Sequence, residues 1–523
     1  MSQNGGGWDE KPRRDLGGKQ RGASSSARAG ILLPMSESQR VDSEPSLKRA
    51  QVVDHGGWSG YNGRTMNETH TWRKGEELSL EVTDLNAEGE GIARVGDREV
   101  ELPLTIPGDR VRARLLKPGR QPAQAAVLER EAPSPARLPA LCPHYELCGG
   151  CAWQDVDYPA QLQLKERIVR ANLTEVPTER FRPILGMETP WFYRNKMEYT
   201  FGPDLTLGLH RRGRYWDLVD ILDCRLQSPL ANEIRNAVRD YARAHAWEPY
   251  IKRTHLGEAR HLVIREGKRT GEVLLNLVSR SDALPGVPEL AQEIRARYPA
   301  VASFYWTISP EKGDAIKAHR ETLLAGKPQI REILDGIEFL IGTKTFFQTN
   351  TIQAERLCEV VAGLREEAGH GPRPVVLDLY CGVGTFALST ARRSPGARVF
   401  GVELVEESVE AARENARRNG IEGVEFLAGD VGKRLPEAIR AVGQPDVVIV
   451  DPPRAGLAPD VCRDLAALAP AQLLYVSCNP AALARDLAAL TPAGYEVVAV
   501  QPVDLFPHTR HVECVVLMSR VDE

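Results

Sequence analysis

From residue 374 to its end, the chain alternates short apolar runs with Ala-rich segments, and this alternation constrains the fold more than any other feature. The runs read VVLDLYCGVGTF, RVFGVEL, VEFLAGD, DVVIVDPPR, LLYVSC and YEVVAVQPVDL. Short apolar runs separated by helical segments are typical of parallel strands that helices cover on both faces. The pattern therefore predicts a doubly wound, Rossmann-like α/β domain, which we assign to residues 346–523.

The first of these strands ends in a glycine turn that is typical of a cofactor site. Gly382 and Gly384 let the backbone approach a ligand at a helix N-terminus. Glu403 ends the next strand, where a carboxylate can bind ribose hydroxyls, and Asp430 ends the third strand, near the expected adenine. Phe386 stands near the place of the third glycine in a dinucleotide fingerprint. The sequence therefore favours S-adenosylmethionine over NAD.

Cys478 ends the fifth strand, on the same side of the sheet as the glycine turn. Asn479 and Pro480 are typical of a helix start, so we expect the helix dipole to lower the pKa of the thiol. A thiolate can add to an electron-poor ring carbon. Asp451 ends the fourth strand, and Glu513, at the start of the last strand, is a candidate general base. The alternatives are a turn that tolerates a small residue at Cys478 and a solvated strand end at Glu513.

Four cysteines precede this domain. Cys142, Cys148 and Cys151 form a C-x5-C-G-G-C motif, and Cys224 follows in DILDCRLQSP. Four thiolates can ligate zinc or a [4Fe–4S] cluster. The spacing differs from the C-x3-C-x2-C of radical enzymes and a fourth thiol is present, so we expect a closed structural or sensing site. Spacing alone leaves zinc and iron–sulfur open, and unrelated buried cysteines are the remaining alternative.

The rest of the chain divides by composition. Residues 1–70 are rich in Gly, Ser, Arg and Asp, and we expect a disordered tail there. Residues 132–345 follow a proline-rich linker, mix helix and strand patterns, and predict an α+β domain. Part of the segment 154–186 is expected to pack with the catalytic domain. No stretch approaches the ~18 apolar residues of a membrane span, and nine unevenly placed cysteines suit a reducing cytosol.

Residues 71–131 contain short alternating strands, such as LSLEVTDL and DRVRARLL, which predict a small OB-like β-barrel. Arg110, Arg112 and Arg114 fall on one face of a strand. That face is either a phosphate contact or a solvated edge protected by charge. Because the formal net charge of the chain is −4, any nucleic-acid surface must be local.

Motifs from about residue 74 to the end together resemble the S-adenosylmethionine-dependent RNA (uracil-5-)-methyltransferases. They are CPHYELCGGC, YRNKMEYTFG, DCRLQSP, FFQTN, LDLYCGVGTF, GVEL, DPPRAGL, YVSCNPAALARDL and FPHTRHVE. The barrel is similar to a TRAM domain, an RNA-binding module. TRAM and the four cysteines together look most like the 23S rRNA branch, whose members carry a [4Fe–4S] cluster.

The resemblance implies transfer of a methyl group from S-adenosylmethionine to C5 of a uridine in RNA, with 23S rRNA the first expected substrate and tRNA the second. It implies that Cys478 adds to C6 and that Glu513 removes the C5 proton. The implied cofactor contacts are Gln348, Tyr380, Thr385, Glu403, Asp430 and Asp451. The implied cluster ligands are Cys142, Cys148, Cys151 and Cys224. Asp451 could instead bind the uracil.

A base must leave its stack to reach a buried thiol, so we expect the target uridine to flip out of a folded RNA loop. The segment HRRGRYW, residues 210–216, interleaves basic and aromatic residues and could clamp RNA, although a solvated hairpin is the alternative. We expect a cytoplasmic monomer with no membrane partner. Two other functions are alternatives. The first is an iron–sulfur oxidoreductase or radical enzyme, which the fourth cysteine disfavours, and the second is a non-catalytic RNA-binding protein, which Cys478 and Glu513 disfavour.

Overall fold

The computed structural model describes residues 71–521, except residues 314, 368 and 370–372. The tail expected over residues 1–70 lies outside the described residues. Within the described part, no helix is both long enough and apolar enough to cross a membrane.

The first five strands close into a small barrel in the order β1-β2-β3-β5-β4. They are β1 Glu77–Leu85, β2 Gly91–Val95, β3 Arg98–Leu102, β4 Arg110–Lys117 and β5 Ala123–Ala132. Buried and exposed residues alternate along β1 and β4, which turns Leu80, Val111 and Ala113 into the barrel interior. The barrel predicted from the alternating strands is therefore present.

The central region is built on a seven-stranded sheet of order β12-β11-β10-β9-β6-β7-β8. Its elements, with the helix that precedes the sheet, are α1 Tyr158–Asn172, β6 Lys196–Phe201, β7 Leu207–Arg211, β8 Arg214–Asp220, α2 Pro229–Ala244, β9 Ala259–Glu266, β10 Val273–Ser279, α3 Val287–Arg297, β11 Val301–Ile308 and β12 Arg320–Gly326. Helices α2 and α3 share a core with the sheet, in which Ile234 and Ile294 meet Leu262 and Leu275. This is the predicted α+β architecture.

The C-terminal region holds a second seven-stranded sheet, of order β17-β16-β15-β18-β19-β21-β20. Its elements, after a small hairpin, are β13 Ile330–Leu334, β14 Ile337–Ile341, α4 Thr351–Glu367, β15 Val375–Leu379, α5 Thr385–Arg393, β16 Arg398–Glu403, α6 Glu406–Arg418, β17 Val424–Ala428, α7 Val431–Val442, β18 Val447–Val450, α8 Pro459–Leu468, β19 Gln472–Ser477, α9 Pro480–Leu490, β20 Tyr495–Val503 and β21 Glu513–Arg520. Short 3₁₀ helices occur at Thr178–Arg180, Pro203–Leu205 and Thr491–Ala493.

Strands β15 to β19 are parallel, as the alternation predicted, but the sheet is not parallel throughout. Strand β21 runs antiparallel between β19 and β20. The beginning of β21 therefore lies at the same edge of the sheet as the carboxyl ends of the parallel strands. That edge is where open α/β sheets bind their ligands.

Helix α1 precedes the central sheet in the chain but packs on the C-terminal one. Leu164 and Ile168 share a core with Leu483 and Leu487 of α9. Farther along, Phe181 bridges to Val500 and Leu185 to Val503 on strand β20. The segment from α1 to residue 185 thus joins the central region to the C-terminal sheet.

Candidate active site

Cys478 lies between β19 and α9, at the carboxyl edge of the C-terminal sheet. All six residues of β19 are buried. The Asn479 side chain caps α9 by accepting a hydrogen bond from the backbone amide of Ala481 at 3.2 Å. The backbone amide of Asn479 donates to Ser477 Oγ at 3.2 Å. These bonds hold the turn on both sides of a half-buried thiol.

The groups around Cys478 oppose its ionisation. Burial raises the pKa of the Cys478 thiol to about 11, and the carboxyl groups of Glu513 and Asp451 act in the same direction. The Arg454 guanidinium lowers this pKa but is outweighed. The helix N-terminus predicted a lowered pKa for Cys478, whereas its pKa is raised, because burial and the carboxyl groups of Glu513 and Asp451 oppose ionisation.

Glu513 opens β21 beside Cys478. In the antiparallel pairing of β19 with β21, Ser477 lies opposite Cys514, which brings Cys478 and Glu513 to the same end of the two strands. Glu513 is 4% exposed. Burial, together with Asp451, raises the pKa of Glu513 well above its ordinary value. A buried carboxyl group with a raised pKa is suited to general base chemistry near neutral pH.

Asp451 follows β18 and is bound by Gln348 from the segment before α4. Gln348 Nε2 donates to Asp451 Oδ2 at 3.3 Å. Asn195 Nδ2, in turn, donates to the backbone oxygen of Gln348 at 2.8 Å. Burial raises the pKa of Asp451 to about 7, although the Gln348 bond opposes the rise. Asn195 was not predicted as a site residue. Its place within the motif YRNKMEYTFG is the sequence feature that could have pointed to it.

The glycine turn after β15 is tied to the neighbouring strand by Glu403. Gly382 and Gly384 have φ angles of 56° and 86°, in the left-handed region that favours glycine. The backbone amide of Gly382 donates to Glu403 Oε2 at 3.1 Å, and that of Val405 donates to Glu403 Oε1 at 2.9 Å. Glu403 therefore lies at the glycine turn, and its binding of ribose hydroxyls stays a prediction.

The other predicted cofactor residues lie at the ends of adjacent elements. Tyr380 follows β15 with a φ of 65°, and Thr385 begins α5. Asp430 is exposed and caps α7 by accepting a hydrogen bond from the amide of Lys433 at 3.2 Å. Burial and, next, Asp430 raise the pKa of Tyr380 to about 12, so Tyr380 and Asp430 interact electrostatically.

Asp378 is a fully buried acidic residue of β15 that was not predicted as part of the site. Burial and the nearby Asp451 raise its pKa well above the ordinary value, and Glu403 acts in the same direction. The only sequence feature that could have pointed to it is an acidic residue inside the apolar run VVLDL. Asp378 therefore belongs with Asp451 and Glu403 to a group of carboxyl side chains near the glycine turn.

The four cysteines line one cavity of about 700 Å³, which the β7–β8 hairpin also borders. The backbone amide of Gly150 donates to Cys148 Sγ at 3.4 Å, and Gln154 Nε2 donates to Cys151 Sγ at 3.6 Å. Burial raises the pKa of Cys148 to about 11, and neighbouring thiols add to the rise. Among the described residues, no three His, Cys, Asp or Glu side chains are placed to hold a single metal ion. The four thiols line the cavity and do not converge on one point within it.

The loop before Glu513, residues 504–511, connects the cysteine segment to the C-terminal sheet. The backbone amides of Ala152 and Trp153 donate to the backbone oxygen of His508 at 2.9 and 3.0 Å. The His508 ring stacks on Trp191 with 3.8 Å between ring centroids. These contacts therefore join the residue next to Cys151 to His508, which lies five residues before the candidate base Glu513.

A buried ion pair holds the start of the same loop. Lys165 of α1 and Asp504, both without exposed side-chain surface, form an ion pair at 2.5 Å. Tyr158 donates to the second oxygen of Asp504 at 2.8 Å. On the barrel side, Arg510 forms an ion pair with Glu90. The barrel and the central region therefore both contact the loop of the C-terminal region that leads to Glu513.

The arginine face of the barrel is neutralised by carboxylates from adjacent strands. Arg112 pairs with Glu77 at 3.0 Å and with Glu129 at 2.8 Å. Arg114 pairs with the other oxygen of Glu77 at 2.8 Å. Of the two interpretations of this face, the structure favours a solvated, charge-balanced edge over a phosphate contact.

Comparison with known proteins agrees with the fold. The family described as tRNA (Uracil-5-)-methyltransferase matches residues 335–521, and the TRAM domain of tRNA (uracil(54)-C(5))-methyltransferase matches residues 78–121. An "Uncharacterized RNA methyltransferase" of Gloeobacter violaceus is 39% identical over 458 residues, covering 86% of this chain and 97% of that protein. One of Porphyromonas gingivalis is 38% identical and covers 85% of this chain and 100% of that protein.

A solved structure extends the likeness to three dimensions. The Pyrococcus abyssi tRNA (uracil-54, C5)-methyltransferase, in complex with S-adenosyl-L-homocysteine, has a TM-score of 0.67 and 29% sequence identity. The match covers 84% of this chain and 100% of that one. The fold and the relatives define an S-adenosylmethionine-dependent methyltransferase that acts on RNA. More particularly, the chain belongs to the family of RNA uracil-5-methyltransferases with a TRAM domain.

Proposed function

We propose that this enzyme methylates C5 of a uridine in RNA through a covalent bond between Cys478 and C6 of the base. The pairing of Ser477 with Cys514 carries the proposal, because it sets a thiol and a buried carboxyl group side by side at the ligand-binding edge of the sheet. The raised pKa of Glu513 and its burial support its role as the base.

The residues around the glycine turn have the chemistry to hold S-adenosylmethionine. We propose that it is bound by Gln348, Tyr380, Thr385, Glu403, Asp430 and Asp451. The raised pKa of Asp451 supports its place in this set, because a buried carboxyl group gains most from a nearby positive charge such as a sulfonium. When bound, S-adenosylmethionine supplies an electrophilic methyl group, which C5 takes.

Cys478 makes C5 reactive before that transfer. The thiol first loses its proton to solvent. The thiolate then adds to C6 of the uracil, and the electron pair of the C5–C6 double bond moves toward the C4 carbonyl. C5 then has enolate character and can attack an electrophile. Arg454, which lowers the pKa of Cys478, favours the thiolate that begins the step.

Glu513 completes the reaction. Its carboxylate removes the C5 proton, the electron pair restores the C5–C6 double bond, and the bond between Sγ and C6 breaks to release the thiolate. The proton stays on Glu513 until it passes to solvent. The bonds from Ala152 and Trp153 to His508, and the Lys165–Asp504 pair, hold the loop that sets the position of this carboxylate.

We further propose that Cys142, Cys148, Cys151 and Cys224 ligate a [4Fe–4S] cluster. A cluster is wider than a single ion, and the four thiols line a cavity instead of converging on one point. The N–H groups of Gly150 and Gln154 directed at two of the sulfurs are typical of hydrogen bonds around such ligands. When present, the cluster supplies cross-links between segment 142–151 and Cys224.

The proposed substrate is 23S rRNA, on the resemblance of the TRAM domain and four cysteines to that branch. A second candidate is tRNA, because the matching family and the similar Pyrococcus abyssi enzyme are both named for tRNA. We propose that the enzyme acts as a monomer in the cytoplasm, where either RNA would be met.

The test is a map of 5-methyluridine in RNA from a strain that lacks the gene, before and after treatment with purified holoenzyme and S-adenosylmethionine. We expect the modification to appear in 23S rRNA, whereas its appearance only in tRNA would select the second candidate. RNA containing 5-fluorouridine should trap a covalent complex with the wild type and not with Cys478→Ala. No 5-methyluridine in any RNA would reject the proposed function.

A further inference from the structure

The β7–β8 hairpin carries two exposed aromatic side chains at its tip. Tyr215 and Trp216 are 71% and 70% exposed, more than any other large apolar side chain in the described part of the chain. Their rings meet edge to face, with 5.2 Å between centroids. Aromatic surface of this size costs free energy in water, so its exposure suggests a partner.

The hairpin is held by hydrogen bonds to the segment that carries the first three cysteines. The backbone amide of Gly149 donates to the backbone oxygen of His210 at 3.0 Å, and a Cβ atom at Gly149 would lie 3.2 Å from that oxygen. The Arg212 guanidinium donates to the backbone oxygens of Tyr145 and Cys151 at 2.9 and 2.5 Å. A platform that is already ordered loses little conformational entropy when it binds.

The charge of the hairpin differs from that of the barrel. Arg211 pairs with Asp217 at 2.6 Å, but exposed Arg214 forms no ion pair with any described residue. On the barrel, by contrast, Arg112 and Arg114 are paired with carboxylates. The hairpin therefore offers a cation and two aromatic rings on one tip, in a chain of formal net charge −4.

We propose that the tip formed by Arg214, Tyr215 and Trp216 binds unpaired bases of the substrate RNA. Exposed aromatic rings stack on bases that have left a helix, and an unpaired arginine beside them contacts the phosphate backbone. Paired bases present only their edges, so the tip should select loops over duplex. The inference rests on the proposed function and names the part of the RNA, beyond the reacting uridine, that this enzyme holds.

The test compares the holoenzyme with a Tyr215→Ala/Trp216→Ala double variant. Its control is Leu256→Ala, which removes a side chain that is 67% exposed elsewhere in the central region. We expect the double variant to bind a substrate RNA loop about tenfold or more weakly, as stacking on aromatic side chains allows. KM for RNA should rise while kcat at saturating RNA stays within about twofold, because the tip is not part of the reacting site.

Two further measurements sharpen the result. Affinity for a fully paired RNA of equal length should be the same for the double variant and the wild type. Arg214→Ala should lower the slope of log K against log salt by about one. Equal loop affinity of double variant and wild type would overturn the inference, as would a change in oligomeric state, which would mark the tip as a contact between copies. RNA binding is measured in the absence of S-adenosylmethionine. A failure of the tip to bind RNA can therefore be distinguished from a failure of the enzyme to methylate it.

Discussion

Cys478 and the four cysteines of the central region all lie in buried or partly buried surroundings, but their neighbours differ. Cys478 has two carboxyl groups beside it, Glu513 and Asp451, which can carry protons. The thiols that line the 700 Å³ cavity have one another and N–H donors. A thiol among proton carriers is suited to a reaction cycle, whereas thiols among thiols are suited to ligation. The surroundings, and not the residue type, assign the role.

The largest effect should come from Cys478→Ala. Removing the proposed nucleophile should lower methylation by on the order of 10³-fold or more, because C5 of uracil is unreactive without addition at C6. Methyl transfer to RNA, measured with labelled S-adenosylmethionine, checks this. The matched control is Cys462→Ala, which removes a thiol in a different element, helix α8, and should leave turnover nearly unchanged.

If the two kinds of cysteine are separate in function, Cys478→Ala should also keep the iron content and visible absorbance of the wild type. A Cys478→Ala enzyme that still methylates RNA would contradict the assignment of the nucleophile. Loss of iron in the same variant would contradict the separation.

Glu513→Gln should have the next largest effect. Without a base, turnover should fall by about 10²- to 10⁴-fold. The thiol still adds and the methyl group is still transferred, so a methylated covalent adduct should accumulate, with a burst of about one S-adenosylhomocysteine per enzyme. Mass spectrometry of the trapped complex measures this.

The control for Glu513→Gln is Glu496→Gln, an exposed position on the neighbouring strand β20 that should behave as the wild type. Loss of the burst in Glu513→Gln would contradict the proposed order of events, because it would mean that Glu513 is needed before methyl transfer.

The cysteine site should respond to Gln154→Ala. The side chain of Gln154 donates to Cys151 Sγ and accepts from the backbone amide of Cys142 at 2.7 Å. Such partners of metal ligands typically affect metal affinity by roughly 10- to 100-fold, so loss of iron to a chelator should accelerate by that factor. Glu146→Ala, an exposed change in the same segment, is the control.

Cofactor affinity should not change in Gln154→Ala, since Gln154 contacts the cysteine segment and not the glycine turn. Iron release at the wild-type rate would contradict the proposed ligand site. Zinc in place of iron in the purified protein would keep the site but replace the cluster.

Much of this site could be predicted because it follows strand ends. The apolar runs after residue 374 mark the strands, and Glu403, Asp451 and Cys478 are the polar residues at their carboxyl ends. The antiparallel insertion of β21 could not be predicted, because an apolar run such as ECVVLM fits either strand direction. The pairing of Lys165 with Asp504 joins residues 339 positions apart and leaves no local pattern.

Predictions of electrostatic properties from local sequence were wrong where charged residues distant in the sequence determine them. The arginines of β4 have no acidic residue among them in the sequence, yet Glu77 and Glu129 reach them from β1 and β5. In the same way, the helix start after Cys478 is visible in the sequence, but the carboxyl groups that raise the pKa of Cys478 are Glu513, in β21, and Asp451, which follows β18. Electrostatic predictions from single segments omit these partners.

The smallest effect, and the sharpest comparison, concerns the charge state of Cys478. Its pKa of about 11 means that the thiol is protonated at neutral pH, so its alkylation by iodoacetamide should accelerate about tenfold for each pH unit between 7 and 9. A positive charge nearby favours the thiolate and lowers the pKa, so S-adenosylmethionine should speed alkylation at fixed pH by about tenfold. Peptide mass spectrometry can follow Cys478 alone.

S-adenosylhomocysteine is the matched control, because it lacks only the methyl group and the sulfonium charge. It should leave the rate unchanged or lower it by covering the thiol. Asp451→Asn should raise the alkylation rate without any cofactor, since this carboxyl group raises the pKa of Cys478. The thiols of the four-cysteine cavity should respond to none of these changes. Equal acceleration by both cofactor forms would show that the cofactor acts on Cys478 through conformation, and the contrast between the two thiol environments would then rest on geometry and not on charge.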